Sequence, residues 1–345
     1  MHRIAVKTAA LAFLLFALGF ASAAIADPLK IRIGMQTPPD KFLTMLAHRK
    51  DIVPHVDTSY TLEPVRFAAS SEEVTALASG DLDIGNLAYS SLAIAIENAK
   101  LDDVRMIAES LRDGVPGYFS FEFRVKNDSG IERIEDLKGK IIGSNGIGSA
   151  TDMGSRLLLR RHKLEDRRDY SVIAAPLPNL LPMLMSGKVH VSSLGPADAI
   201  RPDVQAATHT LFTQADAFGI TQLSLYVART PWLANNRVAL DGFFEDLVRA
   251  TRWSIDPAHR AELAALFAAN TKQPIDGLGY FMTKDDFYRD PDARPDIDAT
   301  QKNVDAMREL GFIKGRIDIA QYTDLSFIDR AVERLDRKNQ GVAAP

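Results

Sequence analysis

Apolar and polar positions along this chain change period several times, and each change marks an element. After an unbroken apolar run at residues 9–20, residues 29–34 (L-K-I-R-I-G) alternate as a half-buried strand does. A helix is expected from about Lys41, where Phe42, Met45 and Leu46 recur at helical spacing. Residues 60–67 read as another strand, and Pro64 within it points to a sheet edge or a bulge. Residues 71–78 give a helix with Val74, Leu77 and Ala78 on one face. It stops at Ser79-Gly80, because glycine takes the left-handed C-cap without penalty. A brief strand at 82–85, an apolar helix at 91–98 and strands at 104–108 and 118–125 follow, the last two separated by the polar stretch Arg112-Asp113-Gly114-Val115-Pro116-Gly117.

The same succession then returns. Residues 140–143 form a short buried strand, 144–148 a glycine-rich turn, and Ser149-Ala150-Thr151-Asp152 opens a helix in the manner of a capping box. Residues 172–174 are a strand, 180–185 a helix stopped by Ser186-Gly187, and 189–191 a strand that leads through Leu194-Gly195-Pro196 to a short helix. Strands at 211–212 and 221–228 close this part. From Val238 the period is helical, broken by a polar, aromatic-containing loop at 277–295, with final helices at 297–310 and 325–335.

Two stretches echo each other. Val74-x-x-Leu77-Ala78-Ser79-Gly80-Asp81-Leu82-Asp83-Ile84 lies over Leu181-x-x-Leu184-Met185-Ser186-Gly187-Lys188-Val189-His190-Val191. The strand at 30–34 likewise matches that at 140–143. The pattern is that of an α/β protein with two lobes of like design. Open α/β sheets bind ligands at the carboxyl ends of their strands, so two facing lobes would enclose a ligand and gate it by hinge closure.

Composition sharpens this. Arg3 and Lys7, the apolar run and Ala24-Ile25-Ala26 have the three-part form of a secretory signal peptide at residues 1–26. Removing it leaves a chain more acidic than the full-length formal charge of −4, and still longer than one ordinary core supports. Without basic blocks, nucleic acid is not an expected partner. With no cysteine, disulfides, thiolate nucleophiles and cysteine-ligated zinc are excluded, as is a lipid anchor on cysteine.

The chemistry concentrates at residues 144–152. A strand feeding a helix through small residues leaves backbone N–H groups and the positive helix end facing outward, which suits an anion. An ordinary βα turn with Ser149 as N-cap explains the same residues, and both readings stand at this level. Asp152 either opposes a charged anion or serves Ser149 as its capping partner. A dinucleotide fingerprint fails because Thr151 occupies the third glycine's place, and a P-loop fails because Ile141 follows Gly139-Lys140. The histidines are scattered, and no serine elbow is present. Arg112 and Arg201 are the arginines nearest the expected cleft loops and have the fork that fits a carboxylate or sulfonate.

In Ile31-Arg32-Ile33-Gly34, residues 76–85 (A-L-A-S-G-D-L-D-I-G), residues 125–131 (V-K-N-D-S-G-I), Asp136-Leu137-Lys138-Gly139-Lys140 and Gly148-Ser149-Ala150-Thr151, the chain resembles the periplasmic substrate-binding proteins of sulfonate, nitrate, taurine and thiamine-precursor importers. The resemblance implies an α/β, two-lobed type II periplasmic-binding-protein fold, each lobe a mixed sheet flanked by helices, with the ligand cleft between them. Lobe one would comprise residues 28–116 plus 223–345 and lobe two residues 117–222, crossing near 117–121 and 218–222. It implies a periplasmic, monomeric, non-enzymatic receptor that hands a small acidic solute to a membrane permease and its ATPase. No cofactor or metal is implied. At matching positions it implies ligand contacts from Gln36 and Thr37, from Asn86, Tyr89 and Ser90, from Ser149, Ala150 and Thr151, and from Gly195 and Pro196. His190 stands where an acidic residue is common, and Leu194-Gly195-Pro196 replaces Trp-Glu-Pro, which leaves the ligand class open. Ligand sensing through a membrane kinase stays open beside transport. An enzyme of the pyrimidine-forming kind on this fold would carry a cysteine cluster that is absent here.

Overall fold

The alternating segments assemble into two five-stranded sheets in a computed structural model that describes residues 27–35, 49–67, 70–272 and 274–339. The expected signal segment, the helix from Lys41, and Gln36 and Thr37 lie outside the described residues. The first sheet takes β1 (Leu29–Met35), β2 (Tyr60–Arg66), β3 (Ile84–Leu87), β4 (Val104–Asp113) and β10 (Thr221–Arg229), in the order β2-β1-β3-β10-β4. β1 runs parallel to β2 and β3, and β10 antiparallel to β3 and β4. Pro64 sits in edge strand β2, where a missing N–H is tolerated.

The second sheet takes β5 (Glu122–Lys126), β6 (Ile141–Ser144), β7 (Ser171–Ala174), β8 (Val191–Leu194) and β9 (Thr208–Thr213), in the order β7-β6-β8-β5-β9. Here β6 is parallel to β7 and β8, and β5 antiparallel to β8 and β9. Both sheets are therefore mixed, with one antiparallel strand among those returning from the other side.

Helices cover both faces of each sheet. In the first part these are α1 (Ser70–Ser79) and α2 (Tyr89–Glu97); in the second, α3 (Ala150–Arg161), α4 (Leu177–Met185), α5 (Pro196–Ala199), α6 (Pro202–Ala207) and α7 (Gln214–Phe218). The C-terminal part adds α8 (Thr230–Asn235), α9 (Arg237–Ile255), α10 (Arg260–Thr271), α11 (Ile297–Glu309) and α12 (Ser326–Asn339). Ile31, Ile33 and Ile84 pack against Phe243, Phe244 and Phe327 on one face of the first sheet. Leu77, Leu92, Leu225 and Met307 fill the other. In the second sheet Phe123, Ile142 and Val191 pack under Leu158 and Leu159 of α3, and Phe121 and Leu194 under Leu180 and Leu184 of α4. Each such side chain contributes about 1.5–3 kcal/mol relative to exposure.

The structure departs from the periodicity at several strand ends. β4 runs to Asp113, five residues past the expected end, because Glu109 and Asp113 are buried, Arg112 is half-buried, and all three are hydrogen-bonded. The strand expected at 118–125 begins at Glu122; Phe119 and Phe121 earn their apolar spacing by inserting beside Phe287, with ring centres at 5.4 and 5.0 Å. β3 and β8 start two residues late, because Asp83 and His190 bond the neighbouring strand before the ladder opens.

Residues 114–121 and 214–220 join the sheets. Gly114 and Gly219 have φ of +75° and +70°, and a Cβ on Gly114 would lie 2.1 Å from the Gly219 carbonyl oxygen. The two chains cross so closely that a side chain at Gly114 has no room. The 277–296 loop follows the outer edge of β4, where Tyr288 pairs with Arg112, and carries Phe287 into the second core.

Candidate functional site

β6 ends at Ser144, the chain turns through Gly148 (φ +80°), and Ser149 in extended conformation caps α3. The Ser149 hydroxyl oxygen accepts the Asp152 N–H at 3.2 Å, and the Asp152 carboxylate accepts the Gly148 N–H at 2.8 Å. The return bond of the expected capping box thus lands one residue early. Asp152 is fully buried and meets Arg156 Nε at 2.9 Å; Arg156 in turn meets Asp166 at 2.5 Å. Burial pushes the Asp152 carboxyl above its ordinary range, and Arg156 opposes the shift. The capping role is realised, with the charge compensated inside α3.

Hydroxyls line this turn. Ser149 lies 3.4 Å from Ser144 and 3.3 Å from Thr151, whose hydroxyl donates to Asn145 Oδ1 at 2.7 Å. The sheet register sets Ser193 beside Ser144, and the Ser193 hydroxyl is buried without a partner. The N–H groups of Ala150 and Thr151, in the first turn of α3, have no intrahelical acceptor. The Ala150 carbonyl accepts from Gln214, whose amide lies so close over Gly154 that a Cβ there would be 2.1 Å away.

This turn reaches the other sheet. Ala150 and Met153 share a core with Tyr89, Leu92 and Ala93 of α2, and the Gly148 Cβ position is 3.9 Å from Ile94 Cδ1. Tyr89 and Ser90, the first residues of α2, are 0 % exposed, and neither hydroxyl has a partner among the described residues. Buried hydroxyls are nearly always hydrogen-bonded, so two orphans side by side are an unmet demand. Burial holds the Tyr89 phenol well above its ordinary range, and the nearby Asp152 carboxylate adds to it. The Tyr89 ring meets Phe218 edge-on at 6.0 Å.

The structure thus brings Ser149, Ala150 and Thr151 together with Tyr89 and Ser90. Asn86 is one strand-end away: its N–H donates to Glu73 at 2.7 Å, and its side-chain carbonyl accepts from Ser224. Gly195 and Pro196 sit on the α4 side of the second sheet, Gly195 against Phe121 and Pro196 buried at the start of α5. Arg112 is engaged by Glu109, Asp290, Asp296 and the Arg294 carbonyl, and Arg201 pairs with Asp198 and Asp203, so neither fork turns to the turn at 144–152. Glu73 was not singled out by motif. It is fully buried, a Cβ on Gly34 would lie 2.3 Å from its carboxylate, and it holds the ends of β1 and β3 together. Its signal in the sequence is a carboxylate on the apolar face of α1, four residues before Leu77.

Among the described residues no hydroxyl of this site is hydrogen-bonded to a histidine: His162 meets Glu135, His190 the Ile141 N–H, His209 Asn127 and His259 the Trp253 carbonyl. Among the described residues no group of three or more potential metal ligands gathers, and no helix is long and apolar enough to cross a membrane.

No curated protein matches the chain in sequence. Among solved structures it is similar to the periplasmic aliphatic sulphonate binding protein SsuA of Escherichia coli, at 19 % identity and TM-score 0.65, covering 86 % of this chain and 92 % of that one. It is similar to the periplasmic nitrate-binding protein NrtA of Synechocystis PCC 6803, at 12 % identity and TM-score 0.66, over 92 % and 91 %. The desulfurization enzyme DSZB shares the fold at 14 % identity and TM-score 0.63, over 89 % and 99 %, so this architecture carries an enzyme as well as binding proteins. The two mixed, helix-flanked sheets are those of a type II periplasmic-binding-protein fold. With residues 25–268 matching that family's model, the chain belongs to the NMT1-like family.

Proposed function

We propose that this protein is the solute-binding component of an ABC importer, exported to the periplasm and cut near Ala26. In this reading it works as a monomer and a receptor, not an enzyme. Its lobes, residues 28–116 plus 223–345 and residues 117–222, close on one small molecule for delivery to a permease and ATPase. The ligand's polar end, an acid group such as sulfonate or carboxylate, sits between the first turns of α3 and α2. The observation that carries this is the orphan hydroxyl of Tyr89, buried at the α3 turn whose Ala150 and Thr151 N–H groups have no intrahelical acceptor, with the orphan Ser90 hydroxyl next to it in the chain. Ser149 and Thr151 supply further hydroxyls. In this reading Asn86, Gly195 and Pro196, with Gln36 and Thr37, also contact the ligand. The sulphonate-binding and nitrate-binding proteins with this fold support an anionic solute.

A thermal-shift screen against sulfonates, carboxylates, phosphonates, nitrate and neutral heteroaromatics tests this. One class at a hundredfold excess over its Kd should add about 2.7 kcal/mol of stability. For the compound that shifts the wild type, Ser149→Ala with Thr151→Ala should raise Kd at least tenfold. The cap loss should cost about 1 kcal/mol in folding. A double variant with wild-type affinity removes these residues from the site, and turnover of the stabilising compound would replace the receptor with an enzyme.

A further inference from the structure

The crossing between the sheets holds a carboxylate that no part of the binding site uses. Asp113 is the last residue of β4 and is 0 % exposed. Its Oδ1 accepts the Ser120 hydroxyl at 2.5 Å, and its Oδ2 accepts the Phe121 N–H at 2.9 Å. Ser120 Oγ in turn accepts the Ala215 N–H of α7 at 3.0 Å. A residue at the end of the first sheet therefore ties down the entry to the second sheet through the first connection, and α7 through the other. The tie lies beside the Gly114–Gly219 crossing, where the chains have no freedom to slide past one another.

A second arrangement is available to the same carboxyl. Asp113 pairs with Thr221 across the antiparallel ladder, which sets the two side chains on one face. The Thr221 hydroxyl is buried and has no partner. As an ionised acceptor, Asp113 satisfies Ser120 and Phe121. With a proton it becomes a donor, for which Thr221 Oγ1 is the vacant acceptor in its own sheet.

We propose that Asp113 is a proton-sensitive latch on lobe closure, tying the two connections together when ionised and turning to Thr221 when protonated. Ionisable groups on the surrounding elements include Glu109 and Arg112 on β4, Tyr118 on the first connection, Glu122 and Arg124 at the start of β5 (paired with each other), Asp216 on α7, and Lys284, Asp286, Arg289, Asp290 and Asp296 on the 277–296 loop. On β10 they are Tyr226 and Arg229, near its far end. Arg112 is taken up by Glu109, Asp290 and Asp296, Asp216 by the Thr213 cap, and Arg289 pairs with Asp286. Asp113 has no counterion among the described residues, and burial pushes its carboxyl up to about 7 against the Phe121 and Ser120 bonds. The latch rests on the receptor reading for its purpose, but its movement is read without any ligand.

The chain has no cysteine, so Met185→Cys on the second part and Val238→Cys on the first, both exposed, accept spin labels at unique positions. Inter-label distances in the ligand-free protein should favour the short population at pH 8.5 and pass to a longer one at pH 5.5, with a midpoint near 7. Asp113→Asn should give the long population at both pH values. Thr221→Val, which removes the alternative acceptor and keeps the shape, should lower the midpoint by about one pH unit, a tenfold shift. Glu109, also raised to about 7 by burial, titrates in the same window, so Glu109→Gln is the control and should keep the transition. A distance independent of pH, a transition that survives Asp113→Asn, or one abolished by Glu109→Gln overturns the proposal. A failed ligand screen alone would leave it standing.

Discussion

In the first sheet α1 ends at Ser79-Gly80 and the chain enters β3 through Asp83; in the second, α4 ends at Ser186-Gly187 and enters β8 through His190. Gly80 and Gly187 both take positive φ, and the same pair of bonds closes each helix: Gly80 to Leu77 and Asp81 to Ala76, Gly187 to Leu184 and Lys188 to Met183. Asp83 and His190 each donate a backbone N–H to the neighbouring parallel strand, at Arg32 of β1 and Ile141 of β6. Each side chain then accepts the N–H of that same residue, at 2.8 Å and 3.1 Å. The frame is repeated to the single bond, while the acceptor is a carboxylate in one case and an imidazole in the other. Beyond it the units part. β3 leads to the nine-residue α2 with Tyr89 and Ser90, whereas β8 leads to the four-residue α5, where Pro196 gives up a donor. Scaffold positions repeat, and the ends facing the cleft do not.

The largest expected effect comes from removing the carboxylate. Asp83 is 7 % exposed and also holds the Arg32 guanidinium at 2.9 and 2.6 Å. Asp83→Ala leaves the Arg32 N–H without its acceptor and the guanidinium unpaired. Because the Arg32 side chain is 34 % exposed it can rehydrate, which keeps the cost below that of a fully buried pair, at about 2–3 kcal/mol. Urea unfolding measures it; a loss under about 1 kcal/mol would mean that the carboxylate is not structural.

This repetition was legible because it is local. A Ser-Gly stop, an apolar helical face and a short strand all show within a dozen residues. The 144–152 turn was legible for the same reason, down to Ser149 as cap. What the sequence hid depends on distant partners. Glu109 and Arg112 look like loop residues until Asp290, Arg294 and Gln222 arrive from more than a hundred residues away to satisfy them. The orphan hydroxyl of Tyr89 is notable only because α3 packs over that residue, which no period in α2 announces. Arg112 and Arg201 carried the right functional group for an anion, and nearby carboxylates had already claimed both.

A smaller effect separates the two acceptors by pH. His190→Ala removes one neutral bond and should cost about 1 kcal/mol at pH 8. Burial holds the His190 imidazole below its ordinary range, and Lys140 adds to this. The folded state therefore binds fewer protons than the unfolded chain, and the contribution is complete above the unfolded value of about 6.5 and lost as pH falls toward the folded one. Asp113 and Glu109 act in the opposite direction, since their carboxyls are raised to about 7 and favour the fold as pH drops from 7 toward 4. The comparison must therefore be made as a difference between variant and wild type. That difference should shrink between pH 8 and pH 5.5. His190→Asp, which installs the first unit's acceptor in the second, should remove the pH dependence of the difference; a gap that stays constant with pH would show that the imidazole bond does not contribute.

The smallest effect on stability should carry the largest information about function. Tyr89 occupies the end where the two units differ, and its hydroxyl is buried against α3 without a partner. Removing an unsatisfied buried hydroxyl while keeping the ring deletes a desolvation penalty and leaves the packing against Phe218 intact. Tyr89→Phe should therefore be neutral or stabilising by up to about 1 kcal/mol, against the usual sign for a core substitution. If the hydroxyl is kept for a ligand, the same variant should bind the compound found by the screen about tenfold more weakly, as expected for one lost hydrogen bond near 1.4 kcal/mol. A comparison change in the second unit, Ser192→Ala, also removes an orphan hydroxyl, but one that faces Gly143 inside the sheet at 3.1 Å from its Cβ position. It should leave binding unchanged. Equal losses of affinity in the two variants would mean that the cleft-facing ends do not differ in function, and the contrast between the two units would then be one of structure alone.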